Sequence, residues 1–247
     1  MLPQEHLNSM LDILRERHSR SYTNLAKELH ISLSTARRDA EKLVQQGYAE
    51  KTYGGIMLAG EGINTLPIDA RITTNVEAKR QAAYSACRAI HDNMSLLLYS
   101  SSTVLQLLPY LSRYKGLRIL TNSMAICEKL TEMQVETYCT GGQLRLTDKV
   151  FVGQLSEDVL SRFHPQCFFF SPTGISSTGD ITTYREESQR FIRTAMLKSE
   201  KTYCICDSSK LNHSEFFSVC SVKDLNGIFC EKQLPEEIAS LITARNC

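Results

Sequence analysis

The chain has 247 residues, 42% of them hydrophobic and 22% charged, and its formal net charge is +1. This length is too great for one small module and suffices for a small domain joined to a larger one with its own core. The near-neutral charge excludes a generic polyanion binder. The longest apolar runs, at 96–99 and 167–170, are far too short to span a membrane.

Nine cysteines are scattered along the sequence without a CxxC pair. Cys204 and Cys206 are two residues apart, which places them on one face of a strand but does not match the spacing of a zinc site. Free buried thiols in a reducing cytoplasm are the simplest interpretation, and the N-terminus lacks the features of a signal peptide. We therefore expect a cytoplasmic protein with neither a metal nor a cofactor.

The first sixty residues contain three short helical patterns. The first covers 3–18, starts with a proline that a helix start tolerates, and repeats apolar residues at helical spacing. Its expected buried residues are Leu7, Met10, Leu11 and Leu14. A second pattern at 25–29 and a third after a break at 30–32 complete a compact helical unit.

The third helix has two dissimilar faces. Its apolar face consists of Ala36, Ala40, Leu43 and Val44. Its polar face consists of Ser34, Thr35, Arg38 and Lys42, with Arg37 on the flank. Ser32 or Ser34 is expected to cap the helix start, and Gly47 is expected to stop the helix.

Two short helices joined by a tight turn, the second with hydroxyls and then arginines at its start, form the helix-turn-helix arrangement. Short side chains let such a helix approach the DNA major groove end-on, where arginine can hydrogen-bond guanine or phosphate. An ordinary amphipathic helix pair with a solvated charged face is the alternative. Two motifs favour DNA binding: RRD at 37–39, and KTYGG at 51–55, which indicates a hairpin wing.

These motifs resemble the DeoR-type (deoxyribose-operon repressor) family of bacterial transcriptional regulators, in which a hydroxyl, an apolar residue and Arg-Arg-Asp precede a basic wing ending in Gly-Gly. Tyr53 stands where family members usually have histidine. The resemblance implies a small winged helix-turn-helix domain, over 1–57, that binds a double-stranded DNA operator sequence-specifically. The DNA-binding candidates are Ser32, Ser34, Thr35, Arg37, Arg38, Lys42, Lys51 and Tyr53.

The charge of this domain bears on its oligomeric state. Residues 1–58 contain eight Lys and Arg against seven Asp and Glu, which falls short of the basic footprint of a DNA-binding module. A single copy is therefore expected to bind weakly. We predict a homodimer or homotetramer, in which the linked copies gain from their effective concentration.

After the wing, the segment 58–74 carries glycines, an asparagine and a proline without periodicity, which is typical of a linker. A helix is predicted over 76–91, and short apolar runs then alternate with helical patterns. Strands are predicted at 96–99, 118–120, 137–139, 167–170, 203–206 and 227–229, and helices at 103–114, 125–133 and 187–199. This alternation predicts an α/β domain with a mostly parallel sheet over 75–232, followed by a C-terminal helix or tail over 233–247.

Ligands of such sheets bind past the carboxyl ends of the strands. Loops rich in hydroxyls or glycine follow five predicted strands, at 100–103, 121–123, 141–143, 173–175 and 207–210. Their hydroxyls and backbone N–H groups favour phosphate, and glycine permits a close backbone approach. One such loop alone is more often a plain helix cap, whereas five in register favour a binding site.

The series also resembles the C-terminal sensor domain of the same family, whose loops bind a phosphorylated sugar on a fold shared with ribose-5-phosphate isomerase and glucosamine-6-phosphate deaminase. The two resemblances cover roughly residues 3–232. They imply a repressor of a sugar-catabolism operon that a phosphorylated sugar effector releases. The effector-binding candidates are Ser100, Ser101, Ser102, Thr103, Thr121, Asn122, Ser123, Gly141, Gly142, Arg145, Gly174, Asp207 and Lys210.

The first of these loops departs from the family pattern. Family members usually have Asp-x-Gly-Ser/Thr-Thr-Thr, and this chain has YSSSTV at 99–104. Tyr99 replaces the aspartate and Ser101 replaces the glycine, which restricts the backbone if that position needs a positive φ. The loop at 171–174 likewise lacks an initial glycine.

Two alternatives to a ligand-controlled regulator are open. A sugar-phosphate isomerase or deaminase would need an acid–base group, for which the candidates are Glu186, Glu187, Asp207, His164 and His213. Tyr99 occupies the strand end where such an enzyme needs a carboxylate, which argues against catalysis. In the second alternative, the C-terminal domain serves only oligomerisation. The altered first loop favours this alternative, and the retained polar loops argue against it.

Overall fold

The computed structural model of the chain describes residues 3–17, 19–46, 48–58 and 67–243. The chain divides into two compact units, Met1–Arg71 and Ile72–Cys247, and the division falls inside the segment 58–74 that was predicted to be a linker. Within the described residues, no helix is both long enough and apolar enough to cross a bilayer.

The first unit combines three helices with a small antiparallel sheet. Its elements are α1 (Pro3–Arg17), β1 (Ser19–Ser21), α2 (Tyr22–Glu28), α3 (Leu33–Gln45), β2 (Ala49–Thr52) and β3 (Gly55–Leu58). Helices α1 and α3 bury the stripes predicted for them. The buried members are Leu7, Met10, Leu11, Leu14, Ala36, Ala40 and Leu43, and Val44 is partly buried. The predicted stop at Gly47 lies outside the described residues.

The wing is a hairpin of β2 and β3, and β1 pairs with the other edge of β3, so the strand order is β1-β3-β2. Thr52 and Gly55 face each other across a two-residue turn, in which Gly54 has a φ of 82°. Glycine adopts this left-handed conformation readily. The sequence predicts this hairpin but not its third strand, β1.

The predicted linker at 58–74 is only partly irregular. A short helix, α4 (Ile68–Ile72), lies within it, and Ile68 and Ala70 are buried. Residues 59–66 lie outside the described part of the chain. The prediction of irregular structure is therefore wrong for the last part of the segment, where apolar side chains stabilise a helical turn.

The second unit is built on a six-stranded parallel sheet of order β14-β12-β9-β4-β5-β6. Its strands are β4 (Ser95–Leu98), β5 (Arg118–Thr121), β6 (Glu136–Cys139), β9 (Cys167–Phe170), β12 (Lys201–Ile205) and β14 (Gly227–Phe229). All six strand predictions are confirmed, with shifts of one or two residues at some ends. Parallel sheets are covered on both faces, and the consecutive Phe168, Phe169 and Phe170 are accordingly 0% exposed.

Helices cover both faces of this sheet. They are α5 (Val76–Ala86), α6 (Leu108–Leu111), α7 (Met124–Glu132), α8 (Gln154–Leu160), α9 (Glu186–Lys198) and α10 (Glu236–Thr243). The predicted helix at 103–114 is a 3-10 turn at Val104–Leu107 followed by α6. Pro109 lies at the start of α6, where its missing N–H is tolerated, and the regular helix is therefore shorter than the predicted one.

Two small sheets were not predicted. The strands β7 (Gln143–Arg145) and β8 (Val150–Val152) form a hairpin. The strands β10 (Gly174–Ile175), β11 (Asp180–Thr183) and β13 (Phe217–Ser221) form an antiparallel sheet. The strands β7, β8 and β10 have two or three residues, which carry too little periodicity to be recognised in a sequence. The strands β11 and β13 are longer, but their sequences, DITT and FSVCS, contain no apolar run that marks a strand.

We predict that Gly55→Ala destabilises the first unit by about 1–3 kcal/mol, the usual cost of overpacking. A Cβ at this position would stand 2.1 Å from the backbone oxygen of Arg20, so the β1–β3 pairing would have to shift. Thermal unfolding of the full chain measures the effect. Gly227→Ala is the control, because its Cβ would meet only the Tyr203 side chain, at 3.4 Å. Equal stability of the two variants would contradict the prediction.

Candidate nucleic-acid interface and ligand-binding edge

The start of α3 carries a cluster of three hydroxyls. Ser32 is the cap: its Oγ accepts a hydrogen bond from the Thr35 N–H at 3.1 Å, and it lies 2.8 Å from the hydroxyl oxygens of both Ser34 and Thr35. The three hydroxyls therefore hydrogen-bond with one another, and Ser32 also accepts from an N–H group of the first helical turn. Ser34 is exposed, and its small side chain leaves room for another molecule to approach the helix.

Asp39 lies on α3 with its residue surface 0% exposed. Basic side chains on two helices surround its carboxylate: Lys42 Nζ at 3.1 Å, Arg38 Nε at 3.8 Å and His6 Nδ1 at 3.5 Å. Burying a charge is costly unless it is paired, so this arrangement ties α3 to α1. The sequence shows Asp39 only as part of a motif, and its burial was not predicted.

Arg37 and Arg38 leave α3 in different surroundings. The Arg38 side chain is 67% exposed. The Arg37 guanidinium lies 5.7 Å from the centre of the Tyr22 ring on α2, within the range of a cation–π interaction. Arg38 therefore contacts Asp39 through Nε while most of its side chain is accessible to a partner. Arg37 instead packs against the neighbouring helix α2.

The remaining basic candidates are engaged in ion pairs. Lys42 binds Asp39, and Lys51 on the wing binds Glu41 at 2.8 Å. This hydrogen bond lowers the pKa of Glu41 and raises the pKa of Lys51. Tyr53 lies at the tip of the wing and is fully exposed. The structure thus brings Arg37, Arg38 and the wing together in one unit.

The five candidate loops lie along one edge of the parallel sheet. In spatial order, following the strands from β12 to β6, they are 207–210, 173–175, 100–103, 121–123 and 141–143. Neighbouring strands are about 4.8 Å apart, so the outer loops are separated by roughly 19 Å. One sugar phosphate is shorter than this span and cannot touch all five loops.

The first loop is joined to its neighbour by direct hydrogen bonds. The Ser100 N–H donates to Asn122 Oδ1 at 3.0 Å, and Ser101 Oγ accepts from the N–H groups of Thr103 and Val104. Ser101 is not among the described residues with a positive φ. Serine in place of glycine is therefore compatible with this loop, and the expected restriction does not arise.

The β7–β8 hairpin folds back onto the ends of β4 and β5. The Phe151 N–H donates to the Asn122 carbonyl at 2.8 Å, and the Met124 N–H donates to the Lys149 carbonyl at 2.9 Å. Gly142, with a φ of 107°, lets the hairpin approach, since a Cβ there would stand 2.9 Å from the Val152 oxygen. Gly141 is also left-handed, with a φ of 62°.

This hairpin places Arg145 in a charged group. Arg145 lies 3.4 Å from Asp148 and 3.5 Å from Glu187, and Arg185 lies 3.9 Å from Asp148. The Nε atom of Arg185 is buried without a hydrogen-bond partner among the described residues. The sequence pointed to Arg145 but not to Asp148 or Arg185.

Two candidates in the loops differ from expectation. The segment containing Thr173 and Gly174 leads into β10 and not into a helix start, so it offers no helix N-terminus to a phosphate. Gly174 faces protein, since a Cβ there would stand 2.5 Å from the His213 oxygen. This packing explains why a glycine stands at position 174, and no ligand is needed to explain it.

Tyr99 fills the end of β4. Its ring packs 5.7 Å from the Phe191 ring, and burial raises the pKa of its hydroxyl to about 12. The cavity beside it has about 10 Å³, which is enough for about one water molecule. A ligand on this edge must therefore lie away from Tyr99.

Asp207 and Lys210 are both buried at the end of β12, with 1% and 9% of their surfaces exposed. Asp207 Oδ1 accepts from the Ser209 N–H at 3.1 Å and from Asn75 Nδ2 at 3.2 Å. A surface position for Lys210 is therefore ruled out. A cavity of about 600 Å³ opens beside this loop and is lined by Asn75, Asp207, Ser208, Ser209 and Glu231, among others.

The acid–base candidates are dispersed. Glu186 pairs with Arg190 at 2.9 Å, Glu187 with Arg145, and His213 with Glu215 at 3.0 Å. His164 precedes β9 and so lies at the opposite edge of the sheet. The structure does not bring these five residues to one site.

Two domain families match the chain. The DeoR-like helix-turn-helix domain matches residues 7–61, and the DeoR C terminal sensor domain matches residues 74–232. The chain belongs to the DeoR family. The resemblance inferred from the sequence is therefore confirmed, and the DeoR-family chain is a DNA-binding transcriptional regulator.

Individual relatives cover nearly the whole length of this DeoR-family chain. It is 30% identical over 230 residues to the L-fucose operon activator of Haemophilus influenzae, covering 93% of this chain and 92% of that protein. It is 26% identical over 231 residues to a lactose phosphotransferase system repressor of Staphylococcus epidermidis, covering 92% and 91%. Among solved structures, ribose 5 phosphate isomerase A from Neisseria gonorrhoeae matches 57% of this chain and 56% of its own, with 17% identity and a TM-score of 0.42.

We predict that Cys139 reacts with iodoacetamide before the other seven cysteines within the described residues. Cys139 is exposed at the end of β6. Hydrogen bonds from the Cys127 thiol and from the N–H groups of Gly141 and Thr140 lower its pKa to about 6. The thiolate is the reactive form, so the alkylation rate should be near its plateau by pH 7.

Mass spectrometry of the alkylated chain identifies the modified residue. Cys139→Ser is the control and should remove the fast reaction. First modification of Cys127, or a rate that still rises tenfold per pH unit between pH 7 and 8, would contradict the prediction.

Proposed function

We propose that this DeoR-family regulator represses a sugar-catabolism operon in the cytoplasm and that a phosphorylated sugar releases it from its operator. The relatives' names support a sugar operon as the target, since they include regulators of L-fucose and lactose systems. One of them is an activator and the other a repressor.

The DNA contact that we propose centres on α3. Arg38 reaches a base edge in the major groove, Arg37 contacts a phosphate, and Tyr53 lies against the DNA backbone beside the wing. The observation that carries this assignment is the exposure of Arg38 on a helix whose position is fixed by the buried Asp39. The hydroxyls of Ser32, Ser34 and Thr35 then lie near the groove entrance, while Lys42 and Lys51 add charge that their ion pairs partly offset.

The effector contact that we propose lies at the carboxyl edge of the sheet, on the side of Lys210. An ammonium that is largely removed from water interacts strongly with a phosphate dianion. The hydroxyls of the loop at 100–103 lie two strands away, near enough for the sugar. Tyr99 and Gly174 restrict the site, since both are packed against protein.

The chain acts, in this proposal, as a homodimer or homotetramer without catalytic activity. The near-balanced charge of residues 1–58 supports the need for linked copies. The dispersed acid–base candidates support regulation over catalysis. An isomerase remains the second candidate function only through the fold, and a turnover assay with ribose-5-phosphate would reveal it.

We predict that Arg38→Ala weakens binding to a duplex selected by the wild-type protein from a random pool, by about 1–3 kcal/mol, the value of one base-edge contact. The loss should be concentrated at one base position. Lys115→Ala, which removes an exposed cation from the second unit, is the matched control. If both variants lose the same small amount of affinity at all sequences, Arg38 makes no base contact.

We predict that Lys210→Met keeps DNA binding but abolishes release by the effector. The methionine retains the apolar stem of this buried side chain and removes only its charge. A thermal-shift screen over sugar phosphates supplies the effector, since a ligand at a hundred times its dissociation constant stabilises by about 2.7 kcal/mol. An effector changes DNA affinity only through its differential binding to two states.

The measurement is a DNA-binding titration of both proteins with and without that effector. Lys223→Met, an exposed lysine elsewhere in the second unit, is the control and should be released normally. Release of Lys210→Met at the wild-type effector concentration would remove Lys210 from the effector site.

A further inference from the structure

A second cavity lies at the opposite edge of the parallel sheet from the candidate effector loops. It has about 220 Å³ and includes the first residues of β4 and β5, Ser95 and Arg118. The segment 162–165, which connects α8 to β9, forms its other side. The amino ends of the strands meet here, so this cavity is separated from the candidate effector loops by the length of the strands.

Three basic side chains line this cavity: Arg118, Arg162 and His164. In the described part of the chain, none of the three forms an ion pair or a side-chain hydrogen bond with another described residue. Most other arginines of this unit are engaged, as Arg145, Arg185, Arg190 and Arg193 are. Two arginines and a histidine around one cavity, all with open hydrogen-bonding positions, favour an anion there.

One carboxylate stands beside Arg118 on the neighbouring strand. Glu136 is opposite Arg118 in the β5–β6 register, and its Oε1 accepts a hydrogen bond from the Tyr138 hydroxyl at 2.5 Å. This bond raises the pKa of Tyr138, so the tyrosine stays a neutral donor to Glu136. The two guanidinium groups therefore keep a net positive charge at the cavity.

The rest of the cavity is apolar. Leu96 and Leu120 form buried parts of its wall. The rings of Tyr138 and Phe163 pack edge to face, with their centroids 5.4 Å apart. A ligand with an anionic head and a small apolar or flat body matches both the basic side and the apolar side of the cavity. Small-molecule pockets usually measure about 300–1,000 Å³, so this cavity is too small for a nucleotide.

We propose that the cavity between β4, β5 and the segment 162–165 is a second ligand site, which binds a small phosphate monoester through Arg118 and Arg162. Guanidinium groups bind phosphate oxygens with two parallel hydrogen bonds. His164 adds a third donor at the cavity mouth. The site is independent of the proposed effector loops and does not require Lys210.

The test uses the full chain and phenyl phosphate as the probe, with calorimetric titration as the measurement. Phenyl phosphate should bind saturably, inorganic phosphate more weakly, and phenol not measurably, because the head supplies most of the affinity and the ring adds to it. Arg118→Gln combined with Arg162→Gln should weaken phenyl phosphate binding at least tenfold. Lys129→Gln combined with Lys223→Gln, which removes two exposed cations outside the cavity, should leave it unchanged.

Further variants separate this site from the effector loops. Lys210→Met should bind phenyl phosphate as the wild type does. Loss of binding in that variant, together with normal binding in the double arginine variant, would assign the phosphate to the effector loops and overturn the proposal. Equal weakening by both double variants would indicate a nonspecific charge effect and would also overturn it. Phe163→Ala, which keeps the arginines, should reduce the preference for phenyl over inorganic phosphate.

Discussion

The six strands of the main sheet run parallel, and this direction determines where the candidate binding residues of the second unit lie. Parallel strands put all their carboxyl ends at one edge and all their amino ends at the other. The polar loops after β12, β9, β4, β5 and β6 therefore meet along one edge, while Arg118, Arg162 and His164 meet at the other. Neither group of residues is close in sequence, and only the sheet brings each together.

The first unit depends on a different interaction, the buried charge of Asp39. A carboxylate with 0% exposure requires nearby cations, because its desolvation costs several kcal/mol. Arg38 and Lys42 on α3 supply them, and the His6 ring on α1 adds a third contact. The contacts that neutralise Asp39 also fix where Arg38 leaves the helix surface. Asp39 therefore supports both the packing of the first unit and the position of the candidate DNA-contacting residue, Arg38.

Periodicity predicts the large elements of this fold and fails for its small ones. The apolar stripe of α1 and the six parallel strands follow from repeated apolar residues over several positions. The β7–β8 hairpin and β10 do not, since two or three residues hold no repeat, and the longer β11 and β13 are interrupted by serine and threonine. The same limit applies to the sites: Arg38 stands out in a motif, whereas the burial of Asp39 and Lys210 depends on tertiary packing that no local pattern encodes.

Asn122 joins three segments that are distant in sequence. Its side chain accepts from the Ser100 N–H, its carbonyl accepts from the Phe151 N–H, and its own position is set by β5. The loop after β4 and the β7–β8 hairpin are thus fastened to one residue and cannot rearrange separately. A displacement of Asn122 would therefore move the loop and the hairpin together.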